Sequence, residues 1–246
     1  MLLLEFKDFF LEGFINTLVL CLAIVTGATL FAIVLAAGMS LRSFVLSRLF
    51  HLLAEVFRAL PLIVTVLLIY FVLPALGISL DPFWSTTLSV SLWGGANGSH
   101  AIRAGLTAVP NAQRETAMAF GLRGWKGLVF VVLPQAMPVI LPPYISLVTA
   151  WVQASSLGAV VGVSELFRSG QIVIEQTTIS RGGSPAFLIY GMILIVYFFL
   201  CWAISLAARP IEQYFSRHNL VSVKRAGAGG PAGSATAAVA SVDGRT

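Results

Sequence analysis

The chain has 246 residues, of which 58% are hydrophobic and only 10% are charged. Soluble domains contain about 25% charged residues, so this composition excludes an ordinary soluble domain and predicts an integral membrane protein. The formal net charge is +5, but Lys and Arg in a membrane protein mainly report its topology, so this charge does not predict a nucleic-acid partner.

Five apolar segments are long enough to cross a bilayer, which takes about 20 helical residues. They cover approximately residues 14–37, 56–73, 83–109, 139–163 and 186–207. The third contains many small and polar residues and is the weakest of the five. The sequence therefore predicts an all-α integral membrane protein with about five transmembrane helices.

The two ends of the chain differ from this apolar region. Residues 1–12 lack a basic n-region and a cleavage site, so we expect an extracytoplasmic N-terminal segment and no removable signal peptide. Residues 13–215 form the predicted transmembrane domain, and residues 216–246 a cytoplasmic tail. From about residue 226 the tail is rich in Gly, Ala and Ser, and we expect it to be disordered.

Basic residues are unevenly distributed among the connections between these segments. They concentrate between segments one and two, between segments three and four, and after segment five, whereas the connection between segments two and three has none. Lys and Arg favour the cytoplasmic side of a membrane. This bias predicts that the N-terminus lies outside, and that the C-terminus and residues 110–134 lie in the cytoplasm.

Residues 110–134 join segments three and four and are too polar to be a further span. Their charged side chains would be costly in lipid; they are Arg114, Glu115, Arg123 and Lys126. Apolar residues are interleaved with them, among them Phe120 and Trp125. This combination predicts short helices outside the bilayer that offer a surface to a partner.

The same residues have a specific spacing. Glu115-Thr116-Ala117 is followed, after three residues, by Gly121, and nine residues further on by Val131-x-Leu133-Pro134. This pattern resembles the EAA loop of bacterial ABC import permeases, with Thr116 in place of Ala and Val131 in place of Ile. Residues 54–74 and 163–166 are similar to permeases for polar amino acids of the histidine/glutamate type, and the resemblance covers about residues 13–215.

This resemblance implies the type I ABC importer (MetI-like) permease fold and a non-catalytic subunit for polar amino-acid transport in a bacterial inner membrane. The implied partners are a cytoplasmic ABC ATPase dimer, a second permease subunit (identical or not), an extracytoplasmic solute-binding protein and membrane lipid. ATP and Mg²⁺ would bind the ATPase. This chain would bind no cofactor, and its sequence has no G-x-x-x-x-G-K-S/T phosphate loop.

In such permeases the loop forms a coupling helix that docks on the ATPase. The resemblance therefore implies ATPase-coupling roles for six residues: Glu115, Ala117, Gly121, Leu122, Arg123 and Trp125. Gly121 suits a break between two short helices, because glycine can adopt a positive φ or allow a close approach of the chain. Asn111 is the expected N-cap of the first helix. The alternative is an interfacial helix that lies on lipid headgroups, since this would also explain basic residues beside Trp.

Polar side chains within the bilayer are candidates for the substrate pathway. They are Asn97, Ser99 and His100 in segment three, and Gln153, Ser155 and Ser156 in segment four. Two roles are open for them, since they could line the pathway or join helices through hydrogen bonds. Asn97 and His100 stand where amino-acid permeases often have Tyr and Glu, and Gln153 stands where Lys is usual, so the solute is open.

Two other function classes make different predictions. A secondary transporter predicts inverted repeats and a coupling carboxylate within the membrane, and a membrane enzyme predicts clustered catalytic residues; the sequence shows neither pattern. We predict no catalytic and no metal-binding residues, because the three histidines are scattered and no metal-ligand spacing occurs. Cys21 and Cys201 lie inside apolar segments and are interpreted as packing residues.

Overall fold

The computed structural model describes the backbone of residues 5–228, and the side chains in that range except those of Arg181 and residues 216–228. Within this range the chain is helical and contains no strand. The helices are α1 (Lys7–Met39), α2 (Phe44–Ala59), α3 (Leu62–Val72), α4 (Pro82–Ala108), α5 (Asn111–Ala119), α6 (Leu133–Ala154), α7 (Leu166–Arg181) and α8 (Ala186–Ala228). Shorter pieces are 3₁₀ turns at Leu73–Leu76 and Ser155–Val161, one α-turn at Trp125–Gly127, and a π-helical turn at Leu128–Val132.

Three stretches of the described chain are long and apolar enough to cross a bilayer: Lys7–Met39, Trp125–Val161 and Ala186–Phe215. A fourth is obtained when α2 and α3 are counted as one bent span. α4 has 27 residues and a length of about 40 Å, but its polar side chains make it less apolar than the others. The all-helical membrane fold is confirmed, and a total of about five spans requires both the bent pair and α4.

The predicted second segment is not one straight helix. α2 and α3 meet at an angle of 99°, and Leu60 between them has an extended backbone with ψ of 134°. Proline disfavours helical geometry in the residue before it and has no N–H to donate, so Pro61 accounts for the break. Residues 56–59 therefore belong to α2, and the apolar helix begins at Leu62.

α4 is the central helix, packed most extensively against α1 and also against α2, α3 and α6. A Cβ atom on Gly94 would lie 2.7 Å from Nε1 of Trp151, and one on Gly95 would lie 2.7 Å from the carbonyl oxygen of Ala28. Glycine is therefore needed for the helices to approach this closely. The hydroxyl of Ser89 is buried and donates to a carbonyl of its own helix. Such residues make α4 polar in sequence, yet they face protein and not lipid.

α4 and α6 run antiparallel along a row of close contacts. Gly94 contacts Trp151 at one end of the row, and Gly105 contacts Ile140 near the other. Trp151 is fully buried in the main core, which α1, α3 and α4 also supply. This packing fixes the ends of the two helices that residues 109–132 connect.

The helices extend beyond the predicted segments at both ends of the described chain. α1 begins at Lys7, inside the predicted N-terminal segment, and α8 continues to Ala228, past the end expected near residue 207. The tail predicted to be disordered lies, from residue 229 onward, outside the described residues.

Candidate functional site

A sharp turn shapes the connection between α4 and α6. α5 ends at Ala119, and the next residues fold back through two bonds: the N–H of Gly121 donates to the carbonyl of Met118 at 3.0 Å, and the N–H of Leu122 to that of Ala117 at 2.9 Å. Gly121 has a φ of +79°. These are the two hydrogen bonds and the left-handed residue of a Schellman motif, which closes a helix C-terminus. The predicted positive φ at Gly121 is confirmed.

The start of α5 differs from the prediction. Pro110 is the cap residue and Asn111 is already helical, with no side-chain hydrogen bond at the cap. Proline, with φ of −57°, precedes the helix directly, so the chain enters α5 one residue earlier than an Asn cap would require. Glu115 consequently lies in the middle of α5 and not in its first turn.

Ala117 lies inside the folded loop. Only 4% of its surface is exposed, because the chain returns past it after Gly121. A Cβ atom on Gly127 would lie 3.9 Å from the Cβ of Ala117 and 2.6 Å from the carbonyl oxygen of Leu122. Small residues at these two positions therefore allow the second half of the loop to pack against α5.

The outer side of the loop is apolar and exposed. Phe120 is 81% exposed and Trp125 is 65% exposed, and Met118 and Phe130 are also exposed. The ring centroids of Trp125 and Phe130 are 6.4 Å apart. We call Met118, Phe120, Trp125 and Phe130 the loop surface.

Charged side chains are interleaved in the chain with the residues of the loop surface. Glu115, Arg123 and Lys126 are exposed, and none of them forms an ion pair or hydrogen bond with a side chain that the structure describes. Leu122, next to Arg123, is half-buried. An exposed group of aromatic residues with free charges at its edge has the composition of a protein-binding surface.

The loop is firmly joined to the helices on both sides. The guanidinium of Arg114 donates to the carbonyl of Leu106 at 2.6 Å and so ties α5 to the end of α4. Val109, Val132 and Ile140 form a buried cluster where α4 meets the start of α6. A displacement of the loop would therefore be transmitted to α4 and α6 together.

A π-helical turn precedes α6. The N–H of Leu133 donates to the carbonyl of Leu128, five residues earlier. Pro134 follows. A proline has no backbone N–H to donate to the preceding turn, and in a regular α-helix its ring clashes with a carbonyl of that turn. The widened turn accommodates this proline, so the helix continues from Trp125 to Val161 without a sharp break.

The polar candidates of α4 make mostly local contacts. Asn97 donates to the carbonyl of Trp93 at 2.9 Å, and the buried hydroxyl of Ser99 donates to that of Ala96 at 2.7 Å. His100 is different, because its Nε2 lies 3.4 Å from a carboxylate oxygen of Glu55 on α2 without hydrogen-bond alignment. Sequence reasoning did not predict this pairing.

The candidates of segment four lie around the end of α6. Gln153 is exposed and its amide approaches the sulfur of Cys201 at 3.8 Å. The hydroxyl of Ser156 donates to the carbonyl of Gln153 at 2.8 Å. Ser155 is fully buried, donates to the carbonyl of Val152 and accepts from the thiol of Cys21. The contacts of Gln153 and Ser155 with the two cysteines join helices, whereas the bond of Ser156 is local.

The structure does not bring the six candidates into one site. Since Gly94 lies beside Trp151 in an antiparallel pair, residues 153–156 lie beside the part of α4 that precedes Gly94. At 1.5 Å per residue, they are displaced by roughly 10 Å along the helix axis from residues 97–100.

One buried group was missed by sequence reasoning. The Glu165 carboxylate accepts from the N–H groups of Phe167 and Arg168, each at 2.8 Å, and from the hydroxyl of Tyr197 at 3.0 Å. It thereby caps α7. Burial raises the pKa of the Glu165 carboxyl, and these hydrogen bonds oppose the rise. A signal for this cap was present in the sequence, because Glu165 directly precedes a helix. Residues 163–166 were interpreted only as part of the family resemblance.

The sequence has well-defined relatives. Residues 28–213 match the family described as binding-protein-dependent transport system inner membrane component. The probable glutamine ABC transporter permease protein GlnP of Bacillus subtilis (strain 168) is 31% identical over 208 residues, which are 85% of this chain and 94% of that protein. The L-cystine transport system permease protein TcyB of the same organism is 32% identical over 169 residues, 69% of this chain and 70% of that protein.

A solved structure confirms the predicted fold. A chain from the crystal structure of an amino acid ABC transporter with histidines superimposes with a TM-score of 0.75 at 25% identity, covering 86% of this chain and 96% of that chain. Members of this family are transport subunits without catalytic activity, and ATP is hydrolysed by a separate subunit. The chain belongs to the family of binding-protein-dependent transport system inner membrane components and is a permease subunit of an ABC importer.

Proposed function

We propose that this chain forms half of the translocation pathway for a polar amino acid and is driven by a separate ATPase through residues 110–134. The names of its relatives, which concern glutamine and cystine, support the amino-acid class, as does the solved amino acid transporter.

The loop surface is the observation that carries the coupling part of this proposal. Its side chains are exposed and lie outside the apolar core of their own chain, and Met118 and Phe120 precede the apolar stretch that begins at Trp125. Aromatic residues that insert into a pocket supply much of the affinity in protein interfaces. In the proposed complex, Trp125 and Leu122 are the apolar anchors, and Glu115 and Arg123 make polar contacts at the edge.

Gly121 and Ala117 act differently in this mechanism. Gly121 provides the left-handed turn, and Ala117 provides room for the fold-back, so both hold the loop surface in shape. When the two ATPase subunits close, they move residues 112–125. The contacts of Arg114 and of the cluster at Val109 and Ile140 pass this movement to α4 and α6. The helices then change between outward-open and inward-open arrangements as rigid bodies.

The remaining partners follow from the same proposal. A second permease subunit completes the pathway, and an extracytoplasmic binding protein delivers the solute. ATP and Mg²⁺ are bound by the ATPase. The chain crosses the bacterial inner membrane several times, with its N-terminus outside and its C-terminus and loop in the cytoplasm, as the distribution of basic residues favours.

The polar residues of α4 and α6 remain candidates for the pathway. Asn97, His100, Gln153 and Ser156 keep some exposure in the single chain, whereas Ser99 and Ser155 are fully buried. We therefore propose the first four as pathway-lining residues and the two buried serines as groups that support them.

Replacing the two most exposed aromatic residues of the loop surface tests the coupling. We expect Phe120→Ala with Trp125→Ala to reduce uptake of radiolabelled amino acids by roughly tenfold or more, since loss of a central aromatic contact costs about 2 kcal/mol. Uptake is measured in cells with the intact transporter, and the amount of the chain in the membrane is measured by immunoblot.

Phe187→Ala is the matched control. Phe187 is 96% exposed and lies at the start of α8, outside residues 110–134. It should leave uptake within about twofold of the wild type, a difference under 0.5 kcal/mol. Normal uptake by the loop variant, at a normal membrane level, would contradict the proposed coupling. A loss of the loop variant from the membrane would show that the two side chains are needed for folding, and Trp125→Ala alone then provides the comparison.

A further inference from the structure

A large groove lies between α1, α4 and α6 at the end of the bundle where the loop attaches. Its volume is about 980 Å³. Its walls are mostly Leu, Ile, Val, Met and Ala side chains, and Thr29 and Tyr144 are joined by a hydrogen bond of 3.0 Å within it. Along α1 it extends from Thr29 to Ser40, a distance of about 16 Å. The groove thus has the length of about half a hydrocarbon core of 30 Å.

Two arginines line the loop end of this groove. Arg103 donates to the carbonyl of Met39 at 2.8 Å, and Arg114 donates to that of Leu106 at 2.6 Å. Each guanidinium has five N–H donors, so donors remain on both. Among the described residues that line the groove, none is acidic. The helix ends that these arginines contact offset only about half a charge each, so positive charge remains.

The chemistry of the groove selects among possible occupants. A free amino acid carries an ammonium group, which finds two cations and no carboxylate in the groove. If a second copy of the chain covered the groove, Arg103 and Arg114 would be buried, and that copy would have to supply their counter-ion. A molecule with one long apolar part and an anionic head satisfies both the apolar walls and the two arginines. Basic pockets between spanning helices bind anionic headgroups in this manner.

We propose that this groove binds one anionic phospholipid of the leaflet on the loop side, with an acyl chain between α1 and α6 and the phosphate beside Arg103 and Arg114. The bound lipid fills the space that separates α1 from the part of α6 next to the loop. Membrane anionic lipid is then a bound component of the subunit. This inference rests on the membrane fold and not on coupling to an ATPase.

Native mass spectrometry of the full chain in mild detergent tests this proposal. The probes are phosphatidylglycerol and phosphatidylcholine with the same acyl chains. We expect at least about fivefold more retained phosphatidylglycerol, and a loss of this preference in the double variant Arg103→Gln with Arg114→Gln. The charge-retaining variant, Arg103→Lys with Arg114→Lys, should keep most of it, which separates lost charge from lost folding.

Arg123→Gln is the matched control, because Arg123 is a basic residue of the same loop that does not line the groove. It should retain phosphatidylglycerol as the wild type does. Equal retention of the two lipids, or an equal loss in Arg123→Gln, would overturn the proposal.

A photo-reactive benzoylphenylalanine at Ile33, an exposed residue of the groove wall, identifies the occupant in whole membranes. Cross-linking that adds the mass of an anionic phospholipid supports the proposal. A product with twice the mass of the chain would show that a second copy fills the groove, and would overturn it.

Discussion

Glu165 is a carboxylate with no exposed surface, and the hydrogen bonds that the structure describes at its oxygens come from groups of α7 and α8. Two backbone N–H groups at the start of α7 and the hydroxyl of Tyr197 surround it. A carboxylate can be buried in this way because its two oxygens accept hydrogen bonds from these groups. Glu165 therefore joins α7 to α8. The same burial raises the pKa of its carboxyl group, so that this group releases its proton less readily.

The stability of the chain should depend on pH through this residue. Because burial raises the pKa of Glu165 in the folded state, the folded chain binds the proton more tightly than the unfolded chain does. Its contribution to stability is present below the ordinary glutamate pKa of about 4.3, and it is lost as the pH rises through the raised value. The unfolding temperature in detergent should thus fall over this window, and Glu165→Gln should lessen the fall.

Glu175→Gln is the control, since Glu175 lies on the same helix but is exposed. It should leave the pH dependence of the unfolding temperature as in the wild type. If Glu165→Gln also unfolds with the wild-type pH dependence, the buried carboxyl is not its source.

At the scale of single elements, the loop shows what a sequence pattern can predict. The spacing of Glu115, Ala117 and Gly121 predicted two short pieces with a glycine between them, and the left-handed φ of Gly121 confirms that turn. The prediction that Asn111 is the N-cap of α5 was wrong, because Pro110 occupies the cap position and Asn111 is already helical. The burial of Ala117 was not visible, since it depends on how the chain returns after the turn.

Gly121 should tolerate asparagine and not valine. With φ at +79°, a residue with a branched Cβ is strained by about 1–2 kcal/mol, whereas Asn adopts this region more readily. We therefore expect Gly121→Val to lose most amino-acid uptake at an unchanged membrane level. Uptake assays with immunoblots of the membrane fraction provide the measurement.

In the same assay, Gly121→Asn should retain at least about half of the wild-type uptake. No Cβ contact within 4 Å is present at this position, so the comparison reports backbone conformation and not crowding. Equal activity of the Val and Asn variants would show that the turn does not control coupling.

At the scale of the whole molecule, hydropathy predicted the membrane class and most of the helices. It could not predict the 99° bend between α2 and α3, because both pieces are apolar and the angle depends on the local effect of Pro61. The third segment has a low hydropathy for a span because it is rich in serine and glycine. These residues face neighbouring helices, which is visible only once the helices are packed. The six polar pathway candidates were chosen by residue type, and their separation along α4 and α6 is visible only in three dimensions.

The orientation of the chain gives a direct test at this scale. In a background with Cys21→Ser and Cys201→Ser, a cysteine at Phe187 should react in intact cells with a maleimide that cannot cross the membrane. A cysteine at Trp125 should react only after the cells are permeabilised. Both positions are exposed, so access to the side chain is not the limit. Labelling in the reverse order would place the loop outside and contradict the proposed coupling.

The fold-back after α5 has a consequence for how such subunits diversify. Main-chain N–H groups of Gly121 and Leu122 close it, so the identities of Met118, Phe120 and Trp125 do not enter its closure. Mutations can exchange these outer side chains one at a time while the backbone keeps its shape. Under the proposed coupling, a gene duplicate can therefore acquire a different ATPase by gradual change, without passing through a form whose loop is unfolded.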